Sequence, residues 1–274
     1  MVSLLRSLAF QGAYYAVSAF FAVTAMPLLL LPSRGPLVAW IRAYARSMVA
    51  VMRGIGGISV RVTGHAHMPK GPVIIAAKHQ SWGDGFVMLA EVKNLAFVTG
   101  DHLMNYPLLG PILRKLGAIV VNSCGGTAAR GRLMAEEMDK ARKDGRNILI
   151  YPEGHLSPVG TQHKYRKGVY HLYEKYGVPV VPVATDLGLR WPQQDIRLHP
   201  GPCTVEFLPP IEPGLDKETF MARLEQDIET RSRALLDAQD AAGTLPQGPK
   251  APSVAPAGTI VTQPVDKKAV TRAT

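Results

Sequence analysis

The chain has 274 residues, 47% hydrophobic and 19% charged, with 31 Lys and Arg against 21 Asp and Glu for a net charge of +10. That balance favours an anionic partner, a membrane surface or an acidic carrier protein; nucleic acid is the weakest candidate, because the sequence has no zinc-finger spacing, basic heptad helix or basic–aromatic alternation. The only cysteines, Cys124 and Cys203, exclude a disulfide framework and a cysteine metal quartet.

Leu8 to Leu31 carries no charged residue and lies between Arg6 and Arg34. It is long enough for a bilayer core, which needs about 20 residues. Pro27 is expected to kink its end. A cleaved signal peptide fits less well, since the apolar part is long and no small-x-small site follows it. Arg34, Arg42, Arg46, Arg53 and Arg61 all come after this segment, which places the bulk of the protein on the cytoplasmic side of the inner membrane. Leu37 to Met52 reads as an amphipathic helix with Arg42 and Arg46 on one face. It is either interfacial or packed on the domain, and a membrane-held first segment favours the interfacial reading. Residues 1–57 are therefore expected to be a two-helix membrane-anchoring segment.

From residue 58 the pattern becomes α/β. Strands are expected at Ser59–Thr63, Pro72–Ala77, Asn94–Thr99, Ala118–Val121, Asn147–Tyr151 and Val178–Ala184, with an edge strand at Cys203–Phe207. Helices are expected up to Glu91, over Tyr106–Leu116, over Thr127–Asp144 with Leu133, Met134, Met138 and Ala141 inward, over Gly168–Tyr176, and over Asp216–Asp237. Gly145 suits a left-handed cap. Strands alternating with helices predict a mostly parallel or mixed sheet flanked by helices across residues 58–237. Residues 238–274, rich in Ala, Pro, Gly and Thr, read as a disordered tail.

Two stretches carry chemistry. Lys78-His79-Gln80-Ser81-Trp82-Gly83-Asp84 follows an apolar strand. In one continuous helix, His79 and Asp84 would lie roughly 140° apart. At a strand-to-helix corner, with Ser81 near the N-cap, the Asp84 carboxylate can instead reach back to the imidazole, fix its tautomer and leave the other nitrogen as a base. The second stretch, Tyr151-Pro152-Glu153-Gly154, places a carboxylate and a glycine at a strand end, where α/β proteins hold their sites.

In order, His-x-x-x-x-Asp, Tyr-Pro-Leu-Leu-Gly-Pro, Gly-Ala-Ile-Val-Val, Tyr-Pro-Glu-Gly and Val-Pro-Val-Val-Pro-Val resemble the glycerolipid acyltransferase family over residues 36–210, its best-known bacterial members being 1-acylglycerol-3-phosphate acyltransferases. The resemblance implies an acyl thioester, on acyl carrier protein or coenzyme A, attacked by a lyso-lipid hydroxyl, with membrane lipids as partners and neither metal nor cofactor. It makes His79 the base, with Asp84 orienting it. Backbone N–H groups around Gly83 are expected to hold the oxyanion. Glu153 and Gly154 are expected to line the acceptor site, Glu153 on a polar group of the acceptor or on a neighbouring backbone.

Three departures bear on the acceptor. The family's usual lysine seven residues before the proline is Gly100, its arginine after the following strand is Asn122-Ser123, and Glu-Gly-Thr-Arg is Glu153-Gly154-His155-Leu156. Those cations are expected to hold the acceptor phosphate. Either His163, Lys164, Arg166 and Lys167 replace them, with His155 nearby, or the acceptor is a lyso-aminolipid of the ornithine, glutamine or sulfonate type; the three absences tilt the sequence reading toward the aminolipid. The rivals are a hydrolase using Ser81 or Cys124, which lacks the Gly-x-Ser-x-Gly elbow, and a non-catalytic lipid-binding protein. The histidines show no metal-ligand spacing.

Overall fold

The computed structural model describes residues 2–121, 128–193, 195–246 and 260–261. Its strands are β1 (Ile58–Thr63), β2 (Ile74–Ala77), β3 (Leu95–Gly100), β4 (Ile119–Val121), β5 (Asn147–Ile150), β6 (Gln162–His163), β7 (Val180–Thr185) and β8 (Gly201–Phe207). Its helices are α1 (Val2–Ala25), α2 (Gly35–Gly54), α3 (Gly83–Glu91), α4 (Leu109–Leu116), α5 (Ala128–Lys143), α6 (Gly168–Tyr176) and α7 (Lys217–Ala241). Among the described residues, seven strands form one sheet in the order β1-β8-β7-β2-β5-β3-β4. Every pairing in it is parallel except β7 with β8, so the sheet is mixed. The two-residue β6 pairs separately with Ile260–Val261.

Side-chain alternation along the central strands explains why the sheet is covered twice. Ile75 and Ala77 of β2 join Leu149, Val181 and Val183 in one core with Met52, Val87, Met88 and Trp191. Ile74 and Ala76 face the other way, into a core with Met138, Val169, Leu172, Phe220, Leu224 and Ile228 from α5, α6 and α7. Because β2 and β5 are parallel neighbours, with Ala76 opposite Ile150, the segments that follow them leave the sheet side by side. The topology thereby brings the His79 corner against the Tyr151–Gly154 loop.

Several expectations change. The segment at Cys203–Phe207 is an interior strand, held by β1 on one side and β7 on the other; β1 is the edge. The helix expected at Tyr106–Leu116 starts only at Leu109, as α4, and a 3₁₀ turn at Asp101–Asn105 precedes it. Pro27 ends α1 and opens a 3₁₀ turn, Pro27–Leu30. The last helix passes Asp237 and reaches Ala241. Gln239, assigned to the tail by composition, is buried: it donates to Asp186 Oδ2 and accepts from the buried Arg190. Residues 247–259 and 262–274 of the expected tail lie outside the described residues, as do Asn122, Ser123, Cys124 and the side chains of Leu133 and Met134.

The two-helix anchor is also revised. The apolar face of α2 (Leu37, Ala45, Met48, Met52) is buried within the protein, and Arg42 Nη2 donates to the Ala90 carbonyl of α3. An amphipathic helix needs one cover for that face, and here the domain supplies it. α1 differs. Phe10 and Tyr14 pack edge-on against Trp191, while Leu5, Leu8, Tyr15, Phe20 and Val23 remain more than half exposed. Leu4–Leu30 is the one described segment long and apolar enough to cross a membrane.

Candidate active site

The corner after β2 is built almost entirely from local hydrogen bonds. Asp84 lies in the first turn of α3 and is 4% exposed. Its Oδ2 accepts from the backbone N–H groups of Gln80 and Ser81, both at 2.8 Å, and from His79 Nδ1 at 3.1 Å. A carboxylate oxygen can only accept, which assigns the proton to Nδ1 and leaves Nε2 of the neutral imidazole with the free lone pair. Ser81 Oγ accepts from the Gly83 N–H at 3.0 Å and so closes the turn that leads into α3, whose N-cap position is Trp82. This closes two options. The Gly83 N–H is not free for an oxyanion, and Ser81 is engaged in turning the chain rather than placed as a nucleophile.

The loop after β5 lies beneath and beside this corner. Tyr151 stacks on the His79 imidazole, with centroids 3.8 Å apart and planes 14° from parallel. Glu153 is 1% exposed and points inward. It accepts from the His79 backbone N–H and from Ser157 Oγ, and lies 3.3 Å from Lys78 Nζ. The Ser157 N–H in turn donates to the His79 carbonyl at 2.8 Å. Of the two roles expected for Glu153, the structure shows the contact with neighbouring backbone; a side chain so buried does not line a lipid site.

Lys78 is 1% exposed, and its ammonium donates to the Thr161 carbonyl at 3.0 Å and to Glu229 of α7 at 2.7 Å. Tyr165 also donates to Glu229, at 2.8 Å. Burial raises the Glu229 pKa, opposed by the charge and hydrogen bond of Lys78; burial and then the Glu229 charge raise that of Tyr165. No spacing in the sequence pointed to Glu229.

The acceptor residues expected from sequence divide in two. Gly154 adopts a left-handed turn, φ +73°, and a Cβ there would collide with the Arg166 guanidinium. Arg166 lies across the turn, its Nε donating to the Glu153 carbonyl at 3.3 Å and its backbone N–H to Pro152 O at 2.8 Å. His155 sits between the two halves of the site: burial lowers its pKa, as do the charge of Arg166 and, more weakly, those of His79 and Lys78. Its ring meets His163 edge to face at 4.5 Å, and burial drives the His163 pKa down to about 4. Nε2 of each is buried without a partner. Lys164 and Lys167 are exposed, Lys167 at the start of α6.

An imidazole base on a carboxylate, at the paired ends of two parallel strands and beside a loop carrying one exposed guanidinium, can deprotonate a hydroxyl next to an anionic group. Known proteins resemble the chain in sequence and in fold. The Acyltransferase family model matches residues 59–186. The 1-acyl-sn-glycerol-3-phosphate acyltransferase of Pseudomonas aeruginosa is 29% identical over 200 residues, 73% of this chain and 77% of that protein. The lyso-ornithine lipid O-acyltransferase of the same organism is 30% identical over 125 residues, 46% of each. The fold matches the crystal structure of the 1-acyl-sn-glycerophosphate acyltransferase PlsC from Thermotoga maritima, with a TM-score of 0.68 at 21% identity over 85% of this chain and 96% of that one.

Proposed function

We propose that the chain, an acyltransferase moving acyl groups to lyso-lipid hydroxyls, is a member of the glycerolipid acyltransferase family and that its acceptor is 1-acylglycerol-3-phosphate. The observation that carries this choice is Arg166, whose guanidinium lies across Gly154 and supplies a cation to a loop that lacks the family's usual arginine. In this reading His79 Nε2 takes the proton of the acceptor hydroxyl as its oxygen attacks the thioester carbonyl. The tetrahedral intermediate collapses, the C–S bond breaks, and the imidazolium returns its proton to the leaving thiolate. Asp84 balances the imidazolium charge as it forms. Acyl carrier protein and coenzyme A both suit a basic protein as donor. The exposed apolar face of α1 lies in the inner membrane, with the catalytic domain on the cytoplasmic side.

A lyso-aminolipid acceptor is the second reading. Gly100 at the usual lysine position and the relative named for lyso-ornithine lipid favour it, and a single arginine matches a headgroup carboxylate as well as a phosphate. One competition decides. Purified enzyme receives a labelled acyl thioester with lysophosphatidate and a lyso-ornithine lipid together, and His79→Ala serves as the blank. Diacyl product from lysophosphatidate alone is expected; product from the aminolipid alone replaces this acceptor with the second.

A further inference from the structure

We propose that Tyr151 is a positioning residue for His79, its ring setting the plane of the imidazole and its hydroxyl supplying the donor that the second oxygen of Asp84 lacks. The inference rests on His79 being the base. Two buried polar atoms at the corner are unpartnered, Asp84 Oδ1 and Tyr151 Oη, one an acceptor and the other a donor. Both lie at the same corner without bonding to each other in this structure: a Cβ built on Gly85, next to Asp84, would lie 3.9 Å from Oη, and burial and then the Asp84 charge push the Tyr151 pKa well above the ordinary phenol value. The raised pKa keeps the phenol protonated, hence a donor, across any working pH. The stack itself restricts the ring to one plane, the plane in which Nδ1 meets Oδ2 and Nε2 faces outward.

The other charged groups around the imidazole are accounted for. Glu153 meets the His79 backbone and not its ring, and Lys78 is turned away toward Thr161 and Glu229. His155 and Arg166 lie on the acceptor side. Asp84, by hydrogen bond, and Tyr151, by stacking, are the side chains that meet the ring directly. An Asp84 whose Oδ1 receives a hydrogen bond is less basic and stabilises the imidazolium less. Without that donor, the imidazole stays protonated to higher pH and the base is lost earlier on acidification.

The test is a pH–rate profile of the full-length enzyme with acyl thioester and lysophosphatidate. Tyr151→Phe keeps the stack and removes the donor. Its acid limb is expected to move up by about half a pH unit or more, with KM unchanged. Tyr151→Leu removes the stack as well and is expected to lose about tenfold in kcat at unchanged KM, from a misplaced base. Should Tyr151→Leu not fold, 3,5-difluorotyrosine at 151, a stronger donor of similar shape, replaces it and is expected to move the limb down. A Tyr151→Phe profile superimposed on the wild type, or effects confined to KM, overturns the inference. Full activity in His79→Ala instead overturns the premise, so the two failures are distinguishable.

Discussion

At the His79 corner, one oxygen of Asp84 collects three donors from six consecutive residues, and Ser81 and Ser157 close the turn from either side. The loop from Gly154 to Lys167 is built differently: Nε2 of His155 and of His163 is buried without a partner, and Lys164, Arg166 and Lys167 face outward. The contrast separates two tasks. On the proposed function, a base must be fixed within a fraction of an ångström and backbone groups hold it, whereas acceptor choice falls to side chains that can change without disturbing the turn.

The strongest way to break this comparison is at the corner. His79→Ala is expected to lower kcat about 10³-fold or more, and Asp84→Asn about 10²-fold or more with the fold retained, since an amide oxygen still accepts from Gln80 and Ser81. Single-turnover rates and circular dichroism together check both. If Asp84→Asn unfolds the protein or leaves the rate unchanged, the corner does not work as described. The loop comes next. Arg166→Ala is expected to raise KM for lysophosphatidate about tenfold with kcat little changed, whereas Lys164→Ala stays within about twofold. Equal effects from the two would mean a diffuse basic surface rather than a placed cation.

A last expectation concerns stability rather than rate. The His163 pKa falls from 6.5 to about 4 in the folded chain, because burial disfavours the charged ring, with smaller contributions from His155 and Lys78. The unfolded chain then takes up the proton first as pH drops, so stability is lost from about pH 6.5 downward until the folded form also protonates near 4. Between pH 7 and 5 the loss is roughly 2 kcal/mol from this residue. His155 shifts in the same direction and adds to it. Urea midpoints at the two pH values, compared between wild type and His163→Gln, measure it; an equal loss in both places the pH sensitivity elsewhere.

The His79–Asp84 pair was legible in the sequence because its whole hydrogen-bond set spans His79 to Asp84. The parallel run of β2, β3, β5 and β7 was legible too, from apolar strands alternating with helices. Other features were hidden for identifiable reasons. The periodicity of α2 marks an apolar face but not its cover, and α1 and α3 proved to be part of that cover. The alternating burial of β8 is the pattern of an edge strand and equally of an interior strand with one open face. Composition changes near residue 238, but the buried Arg190 still needs an acceptor, and Gln239 provides it. Nothing local could join Lys78 to a glutamate on the last helix.

That last contact, Lys78 with Glu229, bridges 151 positions of chain. Every residue of the His79 corner emerges from the ribosome early, yet the carboxylate that helps neutralise the ammonium beneath it is among the last parts of the domain to be made. A chain ending before Glu229 keeps the base and its partner but leaves Lys78 buried with Glu153 as its remaining counter-charge; breaking such a buried pair costs on the order of 3–5 kcal/mol. A settled corner therefore waits on the docking of α7, and a polypeptide that lacks this helix is expected to be a poor acyltransferase, whereas the completed one is competent once its final helix closes.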